Sequence, residues 1–189
     1  GTAIFYFPAF AGFKALRLWL SIRPVQLESL PNTVWNTWAP IIISYPLFHN
    51  VNDDHQQAQR VLAKIAYEHA PEIIIETLLT IIDTEKDSPD FYSALDSLQD
   101  CWDENISYRL LDKLRDPDLK PTCFSEILRR LTLKRFSAAI SLAKTLLTLP
   151  LPTDENGKQK AFFAARALAI GAEDAGWSVI WPILQSDAE

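Results

Sequence analysis

Residues 58–79 read AQRVLAKIAYEHAPEIIIETLL, two apolar helical periods separated by a single proline. In the first, Ala58, Val61, Leu62, Ile65 and Ala66 are three and four apart, which puts them on one face of an α-helix. In the second, Pro71 occupies the first-turn position that tolerates a missing amide donor, and Glu72 suits the positive end of the helix dipole. One hairpin of this kind cannot bury both of its apolar faces, so it must stack on others. That requirement limits the chain to a small set of all-helical packings.

The same pattern recurs along the chain. FYSALDSLQDCWD (91–103) pairs with ENISYRLLDKLRD, and PTCFSEILRRL, opened by Pro121, pairs with KRFSAAISLAKTLLTL. GKQKAFFAARALAI (157–170) pairs with EDAGWSVIWPILQSD. The period drifts between about 30 and 40 residues, within the range of helical solenoids. Asp53 followed by Gln56 predicts a capping box at the start of the first hairpin. Upstream, VWNTWAPIIISYPLF (34–48) is expected to supply a helix that pairs with the N-terminal one. The β-branched runs IIIS and EIIIE sit inside helical periods and read as buried helix faces. Residues 84–90 and 149–158 read as loops between units. With 5 glycines, the chain lacks the tight-turn residues of an all-β fold.

The hairpin of residues 58–79 resembles the HEAT-like α-solenoids, and the resemblance extends over residues 53–187. It implies an all-α, right-handed α-α superhelix, with residues 1–50 as a helical cap or repeat pair and residues 51–189 as one continuous array. A narrower resemblance is carried by ARALAIGAEDAGWSVIWPILQSD (165–187) together with LAKIAYEHAPE. These look like the helical-repeat region of bacterial NACHT-type (STAND) signalling NTPases, where such repeats sense ligands or partners. No phosphate-cradling G-x-x-x-x-G-K is present, so no activity carries over. The chain contains no methionine and opens Gly-Thr, which is expected of a piece of a longer protein.

Charge is unevenly placed. Residues 50–108 hold 3 Lys/Arg and 13 Asp/Glu, net −10, whereas residues 109–144 hold 9 and 4, net +5. Arg129, Arg130 and Arg135 head the basic stretch and could contact phosphates. The chain as a whole is acidic at −6, which favours solvated faces or pairing with the acidic unit. Asp96, Asp100 and Asp103, spaced i, i+4, i+7, are read as the wet face of one helix rather than a cation site. His49 and His55 match no metal-ligand spacing. Cys101 and Cys123 form no C-x-x-C and are expected to be reduced, buried thiols of a cytoplasmic protein. Residues 3–20 are strongly apolar, but Pro8, Lys14 and Arg17 interrupt them, so a buried or capping helix is expected and no membrane segment.

Trp177 and Trp181 stand one helical turn apart, followed at once by Pro182. They are read first as core, wrapped over the preceding unit by a proline kink, and second as a partner anchor. The resulting expectation is a non-catalytic scaffold or sensor, without metal or cofactor, that binds a protein partner or a neighbouring domain of its own chain. The alternative is a nucleic-acid-binding protein similar to the HEAT-like DNA glycosylases. A helical toroid enzyme using acidic residues and tryptophans ranks last.

Overall fold

Every regular element among the described residues, which are 7–45, 53–84 and 89–186 of the computed structural model, is an α-helix. The chain divides into two compact units, Gly1–Asp103 and Glu104–Glu189. The boundary expected at residue 50 falls within 46–52, outside the described residues.

The first unit holds α1 (Phe7–Ile22), α2 (Pro24–Glu28), α3 (Asn32–Ser44), α4 (Asp53–His69), α5 (Pro71–Thr84) and α6 (Pro89–Ser97). Prolines open α2, α5 and α6, where the missing N–H has no helical partner to lose. The two isoleucine runs lie on helices and point inward: Ile42 and Ile43 of α3, and Ile74 and Ile75 of α5, are buried. Leu62, Ala63, Ile65 and Ala66 give α4 its buried face. α3 packs against both α4 and α5, and α6 packs on all three. Gln59 is buried among them, and its Nε2 donates to the carbonyls of Ile42 (3.2 Å) and Tyr45 (2.9 Å). It thereby satisfies acceptors at the end of α3 that have no helical donor left. Where α1 meets α3, Gly12 lies under the Trp38 ring, and a Cβ there would come within 1.9 Å of Cη2.

α6 is shorter than its periodicity implies. It stops at Ser97, so Asp100 and Asp103 share no helix face with Asp96. The Ser97 hydroxyl donates back to the Ala94 carbonyl at 2.8 Å, the local bond with which serine competes against helix continuation. Buried Leu98 and Cys101 then draw the chain into a turn, closed by the Cys101 N–H donating to the Leu98 carbonyl at 2.8 Å.

The second unit holds α7 (Glu104–Lys113), α8 (Pro121–Leu133), α9 (Ser137–Leu146), α10 (Glu155–Gly171) and α11 (Glu173–Ser186). α8 is its hub, touching α7, α9 and α10, and it buries Cys123, Phe124, Ile127, Leu128 and Leu131. α10 meets α8 through small residues: Ala161, Ala164 and Ala167 are buried, and Gly171 ends the row. A Cβ on Gly171 would lie 2.8 Å from the Thr132 carbonyl carbon, so only glycine permits this approach. α10 starts earlier than expected, consuming residues 155–158 of the anticipated loop, because Asp154 caps it by accepting from the Gly157 N–H at 2.9 Å.

Candidate interaction surface

α11 runs from Glu173 through Pro182 to Ser186, with the proline inside the helix. Its buried side is carried by Gly176 and Ile180. Gly176 faces α10 so closely that a Cβ would stand 2.4 Å from the Leu168 carbonyl oxygen. On the other side Trp177 is 49% exposed, Trp181 58% and Leu184 52%. The expectation that the two indoles are core, wrapped over the preceding unit, is therefore corrected. The reason is geometric: glycine and isoleucine occupy the α10-facing positions, and the tryptophans stand on the turns that look away. From Gly176 to Gln185 no residue is ionisable, so the exposed side of α11 is uncharged there, with Ser178 and Gln185 exposed beside the two indoles and Leu184. Trp35, by contrast, is fully buried, with its ring stacked on His69 at 5.6 Å.

Two of the three arginines named from the sequence share one carboxylate, and the third lies at the end of α8. Glu126 of α8 accepts from Arg129 Nε (2.9 Å) and Nη2 (2.7 Å), and from Arg130 Nε at 2.6 Å. Burial alone would push the Glu126 carboxyl up, but hydrogen bonds and charge from the two arginines outweigh it and hold it below its ordinary value. Arg129 and Arg130 thus pair inside their own helix, at the i+3 and i+4 spacing that helices favour. At the end of α7, Lys113 pairs with Asp116 and Arg115 with Asp112, both at 2.6 Å. Arg135 is part of the stop signal of α8. Its φ of 57° is left-handed, its N–H donates to the Thr132 carbonyl, and the Phe136 N–H donates to the Leu131 carbonyl. That is a Schellman closure with arginine where glycine is usual.

In the first unit the Tyr67 hydroxyl donates to Asp103 Oδ2 at 2.8 Å. Burial raises the Tyr67 pKa, and Asp103 raises it further. Cys101 beside them is pushed up to about 12, first by burial and then by the charges of Asp100 and Glu68. A thiol held protonated in this way is a poor nucleophile. Both cysteines are free and buried. His49 and the side chains of Asp53 and His55 lie outside the described residues. Among the described residues no group of His, Cys, Asp and Glu could hold a metal ion, and no helix is long and apolar enough to cross a membrane.

Sequence reasoning missed Glu126. The signal was available, since Glu126 precedes Arg129 and Arg130 by three and four residues. No family model, no curated protein and no solved structure matches the chain.

Proposed function

We propose that the chain is a non-catalytic helical-repeat module that binds a protein partner, or a neighbouring domain of its own chain, through the exposed face of α11. The observation that carries this reading is the pair Trp177 and Trp181, each about half exposed and one turn apart on a helix whose opposite side is buried. Tryptophan is enriched among the residues that dominate binding energy, and an uncharged face costs less to desolvate than a charged one. A HEAT-like right-handed superhelix is the proposed arrangement of the repeats. The proposed setting is the sensing region of a cytoplasmic NACHT-type signalling NTPase, resting on the resemblance of residues 165–187 and LAKIAYEHAPE. In that setting nucleotide chemistry belongs to another domain.

Nucleic-acid binding is the weaker reading, because Arg129 and Arg130 are both committed to Glu126. A photo-crosslinking side chain at exposed position 185 tests the proposal. The expected result is one discrete protein adduct that vanishes when Trp177→Ala and Trp181→Ala are introduced. Identical adducts with and without the indoles would contradict it, as would salt-dependent capture of DNA or RNA in its place.

A further inference from the structure

We draw no further inference here: the strongest candidate, the surface patch on the outward side of α10 where exposed Phe162 and Ile170 flank exposed Arg166, is an apolar helix face broken by a charge, and nothing in the structure shows what covers it.

Discussion

Glu126 decides what the cations of α8 can do. Arg129 and Arg130 are both held against its one carboxylate. Its depressed pKa sets a pH dependence of known sign. The stabilisation is present above the ordinary carboxylate value of 4.5 and is lost as pH falls through the lower folded value. Glu126→Gln should cost about 1–3 kcal/mol at pH 7 by leaving two half-buried guanidiniums short of an acceptor, and urea midpoints should then fall less steeply below pH 4.5 than in the native chain. Arg135 holds a conformation that costs a non-glycine residue energy. Arg135→Gly should therefore raise unfolding free energy by about 0.5–1 kcal/mol in a denaturant titration. Neither residue's role shows in a count of positive charges. The first is legible from i+3 and i+4 spacing. The second is not, because a left-handed stop at arginine depends on how α8 and α9 meet.

At the scale of elements, most of the fold was written in short-range signals. Pro71 and Pro121 open helices where the sequence places them, and EIIIE is a buried helix face. These features rest on local sterics and periodicity, which a sequence carries directly. The length of α6 does not, because Ser97, Leu98 and Cys101 bend the chain only when a core exists for them to enter. The orientation of α11 was missed for the same reason. Spacing puts Trp177 and Trp181 on one face, but which face meets α10 depends on Gly176 and Leu168. The approach of α10 to α8 can be checked in the same terms. Gly171→Ala forces a Cβ against the Thr132 backbone and should cost about 1–3 kcal/mol, read as a lowered melting temperature. A neutral result would mean that the two helices have room to separate.

For the whole molecule, the account turns on where large aromatic side chains are spent. Trp35 is fully buried in the first unit, and Trp177 and Trp181 are left outward in the second. Contiguous exposed apolar side chains are the kind of surface that marks interaction sites, which is why the proposed function rests on this pair. The uneven charge of the sequence was read as solvated faces or pairing between units, and in α8 Arg129 and Arg130 share the one carboxylate of Glu126. The most direct measurement is the unfolding free energy of the Trp177→Ala, Trp181→Ala double variant, set beside Trp35→Ala. If the face of α11 is a surface held for a partner, the double variant stays within about 1 kcal/mol of the native chain, whereas Trp35→Ala loses about 3–5 kcal/mol. A loss of about 3 kcal/mol or more in the double variant would mean that the two indoles are core, and the binding surface proposed on α11 would not exist.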